Sequence, residues 1–117
     1  MIFRQLFEPI SSTYTYLLGC EETGQAVLID PVISAMERDL AELAGLGLQL
    51  AFTLDTHIHA DHITAALELK RKTGCRIASP AIDKLACTDV GIEEDTPFEV
   101  GSLQLVPLHT PGHTDGH

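Results

Sequence analysis

All six histidines of the chain lie in two short stretches, DTHIHADH at 55–62 and HTPGHTDGH at 109–117. In an extended chain side-chain direction has a period of two, so His57 and His59 point to one side and their imidazoles converge. Asp61 and His62 start the helix that follows. The positive end of that helix disfavours an imidazolium at His62 and leaves the neutral, ligand-competent ring. An aspartate before a helix is by itself an ordinary N-cap. Three histidines within six residues, with a carboxylate among them, exceed what capping explains, and the pattern points to metal binding.

The second stretch supplies His113. It follows Thr-Pro-Gly, a sequence that enforces a turn and presents the ring at the end of a strand. His109 and His117 are weaker candidates, and Asp115 reads as a turn residue. The donors are nitrogen and oxygen with no thiolate pair, which argues against a structural zinc knot. Two histidines, one carboxylate and open positions suit non-haem Fe(II). A richer His/Asp set suits a pair of zinc or mixed ions. Spacing alone does not choose.

These residues need a scaffold, and turn signals outline it. MIFRQLFEPI reads as the first strand. TYTYLLGC at 13–20 and QAVLID at 25–30, joined by the turn EETG, read as a hairpin that Pro31 closes. Residues 34–47 read as a helix with Ser34 and Glu37 as a capping box, Met36, Leu40, Leu43 and Ala44 at helical spacing, and Gly45 or Gly47 as the stop. Residues 48–55 form a strand. A second helix covers 62–74, with Ile63, Ala66, Leu67 and Lys70 on one side, basic residues in its last turn and Gly74 after it. CRIAS at 75–79 is a short strand, 80–96 is irregular, and 98–109 is a hairpin. The order β-β-β-α-β-α-β-β-β predicts an α/β layered domain in which the strands at 25–30, 48–55 and 75–79 pack against the helices.

Composition sets the outer bounds. At 117 residues the chain makes one domain at most. Seventeen acidic against seven basic residues give a net charge of −10, which argues against nucleic acid or an anionic membrane as partner. No apolar run approaches the roughly 20 residues of a membrane span, and the opening residues do not read as a signal peptide. That predicts a cytoplasmic protein in a bacterium, or a mitochondrial-matrix one in a eukaryote. Cys20, Cys75 and Cys87 are odd in number and form no CxxC, so free thiols in a reducing compartment are expected, none of them a nucleophile.

THIHADH resembles the T-H-x-H-x-D-H signature of the metallo-β-lactamase superfamily, and TPGHT resembles its next metal loop. Within that superfamily FRQLFEP, STYTYLLG, AVLIDPV, THIHADHITAA and HTPGHTDG make the chain similar to persulfide dioxygenases of the ethylmalonic encephalopathy protein type. The resemblance implies an αββα sandwich of two similar halves, of which residues 1–117 cover mainly the N-terminal half. It implies one Fe(II) per chain, with zinc as the alternative, and oxidation of glutathione persulfide by O₂ to sulfite and glutathione. His57 and His113 would bind the iron, with His59 a less certain ligand, while Asp61 and His62 would support the site. In related hydrolases such as glyoxalase II, His59, Asp61 and His62 bind metal directly.

The family's third iron ligand is an aspartate well beyond the PGHT loop, and the chain ends four residues after His113 without it. Three readings follow: an incomplete sequence of an active dioxygenase, a thioester hydrolase of the same fold, or a catalytically inactive half with a metal-binding or interaction role. The first is favoured for the parent protein. An isolated half would expose apolar faces and pair with itself or with a complementary half.

Overall fold

The structure, a computed structural model, describes residues 1–9, 12–56, 60–80, 89–92 and 98–105. A six-stranded sheet runs in sequence order through β1 (Ile2–Glu8), β2 (Thr13–Cys20), β3 (Gln25–Ile29), β4 (Gln49–Leu54), β5 (Arg76–Pro80) and β6 (Val90–Ile92). β1, β2 and β3 pair antiparallel, whereas β3 to β6 pair parallel. The parallel pairs need crossovers. α1 (Met36–Gly45) supplies the first and α2 (Ala60–Thr73) the second. A separate antiparallel ribbon of β7 (Phe98–Val100) and β8 (Leu103–Leu105) completes the described fold.

The sheet is covered on both faces, and adjacent residues divide between them. Leu17, Ala26 and Leu28 pack with Met36 and Leu43 of α1 and Leu69 of α2. Their neighbours Leu18 and Val27 pack instead with Ala78 and with Val100 of the ribbon. A strand buried on both faces reads as a continuous apolar run, as QAVLI does. β4 carries a register shift: Ala26 pairs with Leu50 and Val27 with Phe52, leaving Ala51 as the extra residue. The bulge inverts the alternation. Leu50 therefore packs on the helix side, while Phe52 and Leu54 pack on the ribbon side.

Several details differ from the sequence expectations. The capping box does not form: Ser34 lies inside a 3₁₀ turn, Ile33–Ala35, and α1 starts after Ala35 with no side-chain cap. Glu37 and Asp39 instead place acid in the first turn, where the helix dipole favours it. The buried stripe of α1 is Met36, Asp39 and Leu43, with Leu40 packed alongside and Ala44 exposed. Arg38 makes the buried Asp39 tolerable, since its guanidinium donates to Asp39 Oδ1 at 2.9 Å and also to the Phe7 carbonyl. Burial nevertheless holds the Asp39 carboxyl above its ordinary range against the pull of Arg38.

On α2 the buried face is Ala65, Ala66 and Leu69, with Leu67 exposed, because 65, 66 and 69 form the 3.6-residue stripe that meets the sheet. The segment expected to be irregular contains β6, which extends the parallel sheet. Its entry is held by Asp89, whose carboxylate takes the Ile77 N–H at 2.8 Å and Lys70 Nζ at 2.7 Å. The stop of α1 is as expected. Gly47 takes φ 70°, its N–H bonds Ala44 O, and Leu48 N–H reaches back to Leu43 O at 3.0 Å. Cys20 and Cys75 are buried free thiols, as expected, and Cys87 lies outside the described residues.

Candidate metal centre

β3 and β4 end side by side, with Ile29 opposite Leu54, and each is followed by a buried aspartate. Asp30 turns the chain out of β3 at φ 55°, a left-handed conformation that aspartate tolerates better than most residues. Two bonds hold it there. Its N–H reaches Leu54 O at 2.8 Å, and its carbonyl accepts the buried Thr15 hydroxyl at 3.0 Å. The carboxylate then receives both donors of Thr56, the N–H on Oδ1 at 2.8 Å and the hydroxyl on Oδ2 at 2.7 Å. Thr56 immediately precedes His57. The end of β3 therefore sets where the histidine stretch leaves β4.

Asp55 is anchored through its backbone, its N–H bonding Ala78 O of β5 at 3.0 Å. The residue is only 3% exposed, and Oδ1 has no hydrogen-bond partner among the described residues. Burial, and then the neighbouring Asp30 carboxylate, push the Asp55 carboxyl up to about 7. The two aspartates thus have different environments: Asp30 is satisfied twice over by Thr56, whereas Oδ1 of the buried Asp55 has no partner among the described residues.

Asp61 and His62 fall in the first turn of α2, as expected of residues opening that helix; their side chains lie outside what is described. His57, His59 and His113 lie outside the described residues, as do His109, Asp115 and His117. Among the described residues no group of three or more His, Cys, Asp or Glu side chains could hold a metal. Asp30 and Asp55 were not singled out in the sequence. The available signal was a carboxylate closing an apolar strand directly before proline, in LIDPV.

The Metallo-beta-lactamase superfamily profile matches residues 9–117. The chain belongs to this superfamily. Its helix-covered mixed sheet, with a ribbon on the other face, is part of the metallo-β-lactamase α/β fold. Among relatives in the superfamily, the human protein named persulfide dioxygenase ETHE1, mitochondrial, is 41% identical over 117 residues, 99% of this chain and 46% of that protein. The crystal structure of ETHE1 from Myxococcus xanthus superposes with a TM-score of 0.92 at 48% identity, covering 99% of this chain and 51% of that one. A hydroxyacylglutathione hydrolase of Methylococcus capsulatus is 34% identical over 110 residues, 92% of this chain and 42% of that protein. The chain thus spans about half the length of the curated relatives it matches.

Proposed function

We propose that the full-length protein carrying this chain is a non-haem iron persulfide dioxygenase that oxidises glutathione persulfide with O₂ to sulfite and glutathione. The observation that carries this reading is the end-to-end similarity to persulfide dioxygenase ETHE1, at 41% over 117 residues against 34% over 110 for the hydrolase. A metal suits the frame, because two buried carboxylates stand at the strand ends from which the His-x-His sequence continues, and one of their oxygens lacks a partner among the described residues.

Ferrous iron, when bound, supplies open positions at which the persulfide sulfur and O₂ can meet. His57 and His113 would hold it, with His59 the less certain third nitrogen, and Asp61 and His62 would orient ligands or bound water. Asp30 holds Thr56 and so sets the start of the histidine stretch. This reading requires a further carboxylate ligand from beyond the PGHT loop. The reaction balances with two oxygens from O₂ and one from water, the outer sulfur losing four electrons as O₂ gains four.

A second reading rests on the hydrolase relative. His59, Asp61 and His62 would then bind metal directly, and the metal would supply activation of water for hydrolysis of a glutathione thioester. The two separate cleanly. About one iron per chain, with O₂ uptake on adding glutathione persulfide, supports the dioxygenase. Two metal ions per chain, with thioester cleavage and no O₂ uptake, supports the hydrolase.

Partners and compartment follow the same reading. Among the described residues no helix is long and apolar enough to cross a membrane, and the net charge of −10 disfavours nucleic acid. We place the protein in the bacterial cytoplasm, or in the mitochondrial matrix of a eukaryote. Phe3 and Phe7 on the edge strand β1 and Tyr14 on β2 stand about half exposed, and this supports self-association or a homodimer.

A further inference from the structure

β2 reaches the carboxyl end of the parallel strands through one buried hydroxyl. The antiparallel register pairs Tyr16 with Ile29, so the next step sets Thr15 opposite Asp30. Thr15 stays within β2, paired with Leu6 of β1, while Asp30 turns out of β3 at φ 55°. In an extended residue the N–H and C=O point to the same neighbouring strand. At Asp30 they do not. Its N–H reaches Leu54 O of β4 at 2.8 Å, and its carbonyl, swung across by the turn, accepts the Thr15 hydroxyl of β2 at 3.0 Å. Thr15 is fully enclosed, so without that hydroxyl a buried carbonyl would lose its donor. A left-handed aspartate costs energy in an L-chain and persists where its surroundings over-determine it. Here bonds from the strands on both sides do so. The carboxylate that they aim takes the N–H and hydroxyl of Thr56 at 2.8 and 2.7 Å.

We propose that Thr15 is a positioning residue for the metal centre: its hydroxyl locks the left-handed turn from which Asp30 clasps Thr56. Thr15 touches neither metal nor substrate in this role. It acts through Asp30, and Asp30 acts through Thr56, the residue directly before His57 in the sequence. The support of the site then runs across three adjacent strands, from β2 through the end of β3 to the end of β4. This inference rests on the metal reading proposed above.

The test uses the full-length protein and two readouts: Co(II) affinity against a competing chelator, and hydrogen exchange at the Thr56 N–H in the metal-free protein. Thr15→Val keeps the volume and removes the hydroxyl. Thr15→Ser keeps the hydroxyl and removes the methyl group. In Thr15→Val, affinity should fall about 5-fold and Thr56 exchange should quicken by a similar factor, the worth of one hydrogen bond. Thr15→Ser should stay within about twofold of wild type in both. If Thr15 only filled the core, the order would reverse, because serine leaves space and valine does not. That reversed order, or wild-type values in Thr15→Val, would overturn the proposal. So would weaker affinity without faster exchange at Thr56, since the route through Asp30 would then be wrong. If Thr15→Val does not fold, Thr15→Ser against Thr15→Ala decides, because the two differ in the hydroxyl alone and equal values overturn the proposal. Wild-type protein that fails to bind Co(II) would sink the metal reading itself, and this inference with it.

Discussion

The two ends of the parallel strands are built on different principles. At the end where β3 and β4 begin, turns close on glycine and leucine. Gly24 takes φ 73° and its N–H bonds Cys20 O at 2.8 Å, and Gln49 N–H bonds Gly24 O at 2.8 Å. Leu43 and Leu48 then bury their side chains together in the core on the helix face. At the other end Thr15, Asp30, Thr53 and Asp55 are all buried, and oxygens of Thr53 and Asp55 have no partner among the described residues. Apolar closure stabilises the first end, whereas desolvated polar groups cost stability at the second. In open α/β sheets ligands gather at the carboxyl ends of strands. The difference teaches that local stability has been forgone where the histidine stretch begins.

Breaking the carboxyl end should have the largest effect. Asp30→Ala strips the acceptor from the Thr56 N–H and hydroxyl and puts alanine at φ 55°. The expected loss is about 3 kcal/mol in urea denaturation, together with weaker metal retention in the full-length protein. Asp30→Asn keeps one acceptor and tolerates the backbone, so it should lose about 1 kcal/mol. Equal losses in the two variants would mean that the carboxylate clasp is not what holds this end.

The glycine end should answer to space and backbone angle. A Cβ at Gly101, in the turn between β7 and β8, would lie 2.2 Å from Thr23 Oγ1, and φ there is 58°. Gly101→Ala should therefore cost about 2 kcal/mol by the same denaturation measurement. Gly47 has open space around it and φ 70°, so Gly47→Ala should cost only the backbone penalty, about 1 kcal/mol. A larger loss at Gly47 than at Gly101 would reverse the ranking of strain and crowding.

A pH signature at the same end gives a separate test. The Ser102 hydroxyl, 3.1 Å from Cys20 Sγ, and Thr23 hold the Cys20 thiol down at about 6, from an ordinary value of 9.0. A depressed folded value favours the folded state fully above 9.0, and the contribution is lost as pH falls to about 6. Urea midpoints should therefore decline for the wild type across that window relative to Cys20→Ala, and run parallel to it below. Ser102→Ala should move the thiol's titration, followed by ultraviolet absorbance, upward. An unmoved titration would show that Ser102 does not set it.

Much of the fold was legible because it rests on local patterns. The hairpin of β2 and β3 followed from alternation and the EETG turn, α1 ended where Gly47 allows φ 70°, and α2 ended before Gly74 at φ 76°. The expectations that failed depended on what a segment packs against. Ser34 and Glu37 have capping-box spacing, but the chain leaving Asp30 and Pro31 enters α1 through a 3₁₀ turn that takes Ser34 into itself. Leu67 is apolar yet exposed, because the sheet meets α2 at Ala65, Ala66 and Leu69. β6 is three residues long and too short for a period, so only its pairing with β5 defines it.

The candidate site divides the same way. The sequence by itself determined the candidate donors, since the types and spacing of His57, His59, Asp61, His62 and His113 offer nitrogen and oxygen and suggest a metal. It also carried the resemblance on which the family assignment stands. Only the tertiary structure decided what supports that chemistry. Asp30 meets Thr56 across 26 positions of chain because β3 and β4 lie side by side in parallel. The bulge at Ala51 sets the side of the sheet on which Asp55 falls. Side-chain type and local period are properties of neighbours in sequence, whereas desolvation and strand register arise only when distant segments pack.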